Sequence, residues 1–284
     1  MECPSTAMKV ATDLLLSTYH SQIDEDAVPI TVEKLCDICG ATLTGIRPKP
    51  RNATVYSLDS WQSRQGHTGK LSFDNSRVSI NIPEAVDYLT ARLSVAHELG
   101  HLIIHRRGSS YDEATLRLRS SPEEEALAEY AARLLLIPSS LCSPTPETNL
   151  AEYAVTQSNR VRVTIHSFVA RLGDPDVALA TVRGAILWRM HPSVPAFEPL
   201  HARLTPQWHL CPDAFVPIRK SKARPGSLVA QLAAAETSTA MSRLEEVSIG
   251  SFVGYFQVDA FAWGSVEDGT RLVLSVFREF CKPE

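Results

Sequence analysis

The densest chemistry in this sequence lies in Val95-Ala96-His97-Glu98-Leu99-Gly100-His101-Leu102-Ile103-Ile104-His105. On an α-helix, residues four apart differ by about 40° in azimuth and by roughly 6 Å along the axis. His97 and His101 therefore leave one face and can meet a single metal ion. Glu98 lies about 100° round from His97, poorly placed as a ligand and well placed to take a proton from an attacking water. The spacing predicts metal-assisted hydrolysis with Glu98 as the catalytic general base. Five-letter patterns recur by chance, but the flanks weigh against chance here. Leu93, Val95, Leu99, Leu102 and Ile103 predict a buried helix, and three polar residues on a buried helix need a reason.

A zinc site of this kind needs a third protein ligand and an open position. Extension of the motif to H-E-x-x-H-x-x-G-x-x-H fails, because residue 104 is Ile and residue 107 is Arg. His105 reads better as a residue facing the last helix carbonyls than as a ligand. The next helix, from Pro122 to Leu136, offers Glu123, Glu124, Glu125 and Glu129. A run of glutamates at a helix start is ordinarily a solvated first turn that the helix dipole favours. Spacing alone leaves Glu125 and Glu129 both open as the third ligand.

These residues together resemble the ImmA/IrrE metallopeptidases. Arg92 and Ala96-His97-Glu98-Leu99-Gly100-His101-Leu102 match the family's first block, and the stretch from Glu125 to Pro138 matches its second. The resemblance implies an α+β, zincin-like metallopeptidase domain with Zn2+ held by His97, His101 and Glu125, since the family's glutamate ligand begins the second block. At Glu129 the sequence departs from the family, which often has Asn there. Two His and one carboxylate do not select strongly against Mn2+, so manganese stays open as the metal in the cell. The resemblance also implies a regulatory protease of narrow specificity. Its expected protein substrate is a helix-turn-helix transcriptional repressor, whose cleavage induces stress or DNA-damage-response genes. Two other readings compete. One is a DNA-binding regulator with a vestigial metal site; the other is a phage-type antirepressor protease whose C-terminal region only docks its target.

Positioning such a site takes a domain, and 284 residues are enough for two or three. We read residues 1–143 as the metallopeptidase domain, 144–177 as a small helix-turn-helix-like helical module, and 178–284 as a GAF-like α/β sensor or docking domain. The last two assignments follow the resemblance. Within the first domain, Val10, Leu14, Leu15 and Tyr19 recur at helical spacing, and Val32–Cys39 reads as a helix capped by Thr31 and stopped by Gly40. Ala41–Ile46 and Ala53–Leu58 alternate like strands, and Ser72–Ile82 reads as a hairpin about Asp74-Asn75-Ser76. Glu84–His105 is helical with a boundary expected near Thr90, and Pro138 ends the second site helix. Beyond it, 150–172 reads as two short helices around a polar turn ended by Gly173. Ala178–Val182, Gly184–Trp188, Phe252–Ala262 and Thr270–Phe277 read as strands, and 227–236 as a helix.

Composition excludes several classes. Hydrophobic residues at 44% and charged residues at 21% rule out whole-chain disorder. A formal charge of -4 and a pI near 6.2 argue against direct nucleic-acid binding. No apolar run approaches a membrane span, the N-terminus does not read as a signal peptide, and six scattered cysteines suit a reducing cytoplasm. Cys36-Asp37-Ile38-Cys39 lacks the second pair a structural zinc site needs, so it reads as small buried helix residues. Val161, Val163 and Ile165 predict that the Arg160–Arg162 segment is packed rather than free to read a groove. Ile218–Arg224 is the densest basic run and reads as a solvated loop.

Overall fold

A computed structural model describes residues 28–45, 70–74, 77–82, 88–106, 122–174, 177, 182–190, 204–210, 223–249 and 252–279. The expected helix around Val10–Tyr19, the alternating stretch Ala53–Leu58 and most of the basic run Ile218–Arg224 lie outside these residues. The chain divides into two compact units, Met1–Cys142 with Gln157–Arg171, and Ser143–Thr156 with Leu172–Glu284. Residues 144–177, read above as a module of their own, are thus shared between them. The architecture is α+β in both.

The first unit begins with helix α1 (Val32–Ile38), where the Thr31 hydroxyl accepts the Lys34 N–H at 3.2 Å. It ends in a Schellman turn: the Ala41 N–H reaches the Cys36 carbonyl at 2.8 Å and Gly40 sits at φ 62°. A three-stranded sheet follows, made of β1 (Thr42–Gly45), β2 (Lys70–Asp74) and β3 (Arg77–Ile82) in the order β1-β3-β2. The anticipated hairpin is present as β2 and β3, with Asp74 opposite Arg77. Val78, Ile80 and Ile82 are buried along β3 at 6%, 0% and 2% exposure, the alternation of a strand with one covered face. β1 pairs in parallel with β3, Thr42 opposite Ser79.

Helix α2 (Tyr88–Arg106) carries the HExxH residues and α3 (Pro122–Leu136) carries the glutamates. α2 is described from Tyr88, two residues from the boundary expected near Thr90, and Ala91, Val95, Leu99 and Leu102 form one buried stripe along it. Helices α4 (Leu150–Val161) and α5 (Ile165–Leu172) follow, joined by a turn in which Val163 N–H bonds to the Ser158 carbonyl and Arg162 sits at φ 56°. This is the Schellman geometry of α1 again, here with an arginine in the left-handed position.

Arg92 knits the first unit together. It is 1% exposed and donates to the carbonyls of Ile30 at 2.6 Å, Arg162 at 3.1 Å and Val161 at 3.3 Å. Burial pulls its pKa below the ordinary guanidinium value, an effect opposed by Tyr88 and Glu33. Arg171, fully buried, donates to the Ile137 carbonyl and to Ser139 Oγ at 2.9 Å.

The second unit holds a five-stranded antiparallel sheet, β4 (Val182–Met190), β5 (Leu204–Leu210), β6 (Thr239–Ile249), β7 (Phe252–Trp263) and β8 (Leu272–Glu279), in the order β5-β4-β8-β7-β6. Of the strands expected at Ala178–Val182 and Gly184–Trp188, residues 178–181 lie outside the described residues, and β4 carries the second, with a register shift between Val182 and Gly184. Helix α6 (Leu228–Ala233), capped by Ser227, packs Leu228, Val229, Leu232 and Ala233 against Trp188, Met190, Val258, Ala260 and Val273. Buried Asp259 accepts the Leu150 N–H at 3.1 Å and the Ser242 hydroxyl at 2.7 Å, and pairs with Arg278 at 2.9 Å.

Candidate metal centre

Two helices build the site, and their small residues decide how close they come. Ala96, Ala128, Ala131 and Ala132 are each 0% exposed, and a Cβ added to Gly100 would lie 2.7 Å from the Ala128 carbonyl oxygen. Glycine at 100 is therefore what lets α3 lie against α2 at this depth. Glu125 stands three residues before Ala128, so that close approach also carries its carboxylate to the imidazoles of α2.

The resulting geometry is tight. His97 Nε2 lies 3.1 Å from Glu125 Oε2 and 3.0 Å from His101 Nε2. His101 Nε2 lies 3.6 Å from Glu125 Oε1, and the two rings meet edge to face with centroids 4.7 Å apart. Two imidazole nitrogens and a carboxylate that converge from two helices form a donor set for one cation, with each ligand atom within 4.8 Å of the others. Among the described residues, this is the group of His, Cys, Asp or Glu side chains that can hold a metal ion. Nitrogen and oxygen donors of this kind fit a divalent metal.

Burial grades outward across the centre. His97 is 2% exposed, the His101 side chain 12% and the Glu125 side chain 37%, so the ligand set opens towards solvent on its α3 side. Glu98 is buried at 9% exposure on α2, directly after His97. Glu129, the other carboxylate that spacing left open, stands half-buried one turn further along α3 and is not in the converging group. Of the spare imidazole at residue 105, the structure describes only the backbone, which lies in α2. Tyr130 on α3 is packed at 1% exposure, with the Arg133 guanidinium 5.8 Å from its ring centre.

One residue at the centre was missed from the sequence. Glu124 Oε1 lies 3.2 Å from His101 Nδ1, on the opposite side of the ring from His97 and Glu125. The available signal was its adjacency to Glu125 in the first turn of α3, where acidic residues are ordinarily solvated. The cysteine pair has no part in the site: Cys36 and Cys39 are buried and not joined in a disulfide. Burial, reinforced by Asp37 and Glu33, pushes the Cys36 thiol up to about 12. Val161, Val163 and Ile165 are buried at 0%, 3% and 6% exposure, so the arginine-bearing turn between α4 and α5 is packed through its apolar residues.

Comparison with known proteins agrees with this geometry. Residues 62–172 match the family model of the IrrE N-terminal-like domain, peptidase family M78. The matched range contains both site helices and runs to the end of α5. No curated protein matches the sequence. A solved structure described as a Mycobacterium tuberculosis transcriptional regulator aligns with 97% of this chain and 76% of its own length, at 10% identity and a TM-score of 0.45. The glutamate of α3 and the paired histidines of α2 thus lie inside residues 62–172, the stretch that matches the IrrE N-terminal-like domain of peptidase family M78.

Proposed function

We propose that this protein is a zinc-dependent endopeptidase that cleaves a helix-turn-helix transcriptional repressor in the cytoplasm, releasing stress or DNA-damage-response genes. The observation that carries the hydrolytic part is the convergence of His97, His101 and Glu125 from two closely packed helices, with Glu98 buried beside them. In this reading His97 and His101 hold the ion through Nε2 and Glu125 through its carboxylate, while manganese remains the alternative metal. When bound, the ion supplies Lewis acidity that favours ionisation of water near neutral pH and polarises a carbonyl. Glu98 takes the proton of the attacking water and hands it to the departing amine.

Several features of the chain support narrow recognition. Strand β2 lies at the edge of its sheet, so an extended substrate segment can add to it through backbone hydrogen bonds. Residues 150–284 lie mostly outside the matched domain and offer docking surface. The second unit, with α6 packed on its antiparallel sheet, serves as a GAF-like sensor or docking domain. The α4–α5 pair supplies a helix-turn-helix-like element used for packing rather than for DNA. No helix among the described residues is long and apolar enough to cross a membrane.

The test is incubation of the full chain with purified helix-turn-helix repressors and with casein, with and without chelator. Metal-dependent cleavage of a repressor at one site, with casein intact, is expected. Rapid casein digestion refutes narrow specificity, and repressor loss that survives chelation refutes the chemistry. Direct DNA retention in a gel shift, unaffected by chelator and without any cleavage, favours the regulator with a vestigial site instead.

A further inference from the structure

We propose that Glu124 is a positioning residue for the metal centre, acting through His101. The inference rests on the reading of His97, His101 and Glu125 as ligands, and goes beyond it to a carboxylate outside that set. His101 is engaged at both ring nitrogens. Its Nε2 lies 3.0 Å from His97 Nε2 and 3.6 Å from Glu125 Oε1, while its Nδ1 lies 3.2 Å from Glu124 Oε1.

A neutral imidazole carries one hydrogen and one lone pair. To offer a cation its Nε2 lone pair, His101 must carry the hydrogen on Nδ1, and Glu124 is the acceptor placed to receive it. The carboxylate thereby selects the tautomer, holds the ring plane and raises the basicity of Nε2. The arrangement also separates two neighbouring glutamates by role. Glu125 meets both histidines at Nε2, whereas Glu124 meets His101 at Nδ1, the nitrogen that turns away from the ligand set. A glutamate that only decorated the first turn of α3 would have no need to contact a ring whose side chain is 12% exposed.

The experiment uses the full chain as wild type, Glu124→Ala, Glu124→Gln and Glu125→Ala. Each is stripped with chelator, checked by circular dichroism, and titrated with Zn2+ against a chromophoric chelator. The thermal midpoint with and without Zn2+ is a second readout, and neither needs catalysis. Wild type should bind one ion, and Glu124→Ala should bind one ion about 10–100-fold more weakly. Glu124→Gln, which keeps an acceptor oxygen, should recover part of that loss. The metal-free midpoints should agree while the zinc-induced rise shrinks in Glu124→Ala.

Binding by Glu124→Ala as tight as wild type overturns the proposal and leaves the centre standing. Loss of all binding in Glu124→Ala makes Glu124 a ligand, and a lowered metal-free midpoint with an unchanged zinc-induced rise makes it a helix stabiliser. Either result overturns the positioning role. A wild-type chain that binds no zinc, or a Glu125→Ala protein that binds it undiminished, overturns the metal centre itself.

Discussion

Replacing Gly100 by alanine sets two effects of opposite sign against each other. In an exposed helix the change stabilises by about 1 kcal/mol, the ordinary helix-propensity difference. Here the new Cβ would lie 2.7 Å from the Ala128 carbonyl oxygen and 3.1 Å from its Cα. These are backbone atoms of a buried helix, so no side-chain rotation relieves the contact. Restoring an ordinary 3.4 Å separation requires α2 and α3 to part by about 0.7 Å. Around that contact Leu99, Leu127, Ala131 and Leu135 are nearly fully buried, and overpacking in such a core costs about 1–3 kcal/mol. A rigid backbone clash belongs near the upper end, leaving a net loss of about 1–2 kcal/mol. For a chain of this size that lowers the thermal midpoint by roughly 2–8 °C. The same displacement moves Glu125 off the imidazoles and weakens metal binding, measured by competition with a chelator. A Gly100→Ala protein that melts higher than wild type and binds zinc as tightly would refute the claim that close helix approach sets the site.

Glu98→Gln should keep metal and fold while cleavage falls by roughly 10²–10⁴, checked by metal analysis and single-turnover proteolysis; normal activity would remove Glu98 from the mechanism. Glu125→Ala should lose bound metal and Glu129→Ala should keep it, and the reverse pattern in metal analysis would reassign the third ligand. Arg162→Gly should stabilise the chain by about 0.5–1 kcal/mol in urea unfolding, because φ 56° is strained for arginine and relaxed for glycine, as Gly40 illustrates at the end of α1. Cys36 should resist iodoacetamide at pH 9 in the folded chain and react once unfolded, with mapping by mass spectrometry. Because burial raises its pKa from 9.0 to about 12, the stability this thiol contributes is complete below pH 9 and is lost as the pH climbs towards 12.

The site helices were legible because their signals are local. Pro122 and Pro138 bracket α3, and the apolar stripe of α2 is dense enough to identify a buried helix around two histidines and a glutamate. The choice between Glu125 and Glu129 was not local. Both lie on one face of α3, and the axial offset between two helices, fixed at Gly100 and Ala128, determines which of them meets the imidazoles. Family resemblance supplied that choice where spacing did not. The partners of the strands were equally non-local: nothing in Thr42–Gly45 announces that it will lie parallel to β3 rather than beside its nearer neighbour in sequence. Strand β6 escaped notice because an edge strand need not alternate cleanly. Met241 and Leu244 are 42% and 43% exposed, and polar residues occupy both of its faces. Strand β5 was hidden by Pro206, which an edge position tolerates.

The grip of Arg92 has a consequence for how the peptidase comes into being during synthesis. Two of its three carbonyl acceptors belong to Val161 and Arg162, about seventy residues downstream. A nascent chain that has emerged only to residue 143 already contains His97, His101 and Glu125, yet its Arg92 guanidinium lacks two of those three carbonyls. Arg171 likewise reaches back to Ile137 and Ser139. A chain cut before α4 is therefore expected to hold α2 less firmly than one that runs through Arg171, a difference that melting the two fragments would show.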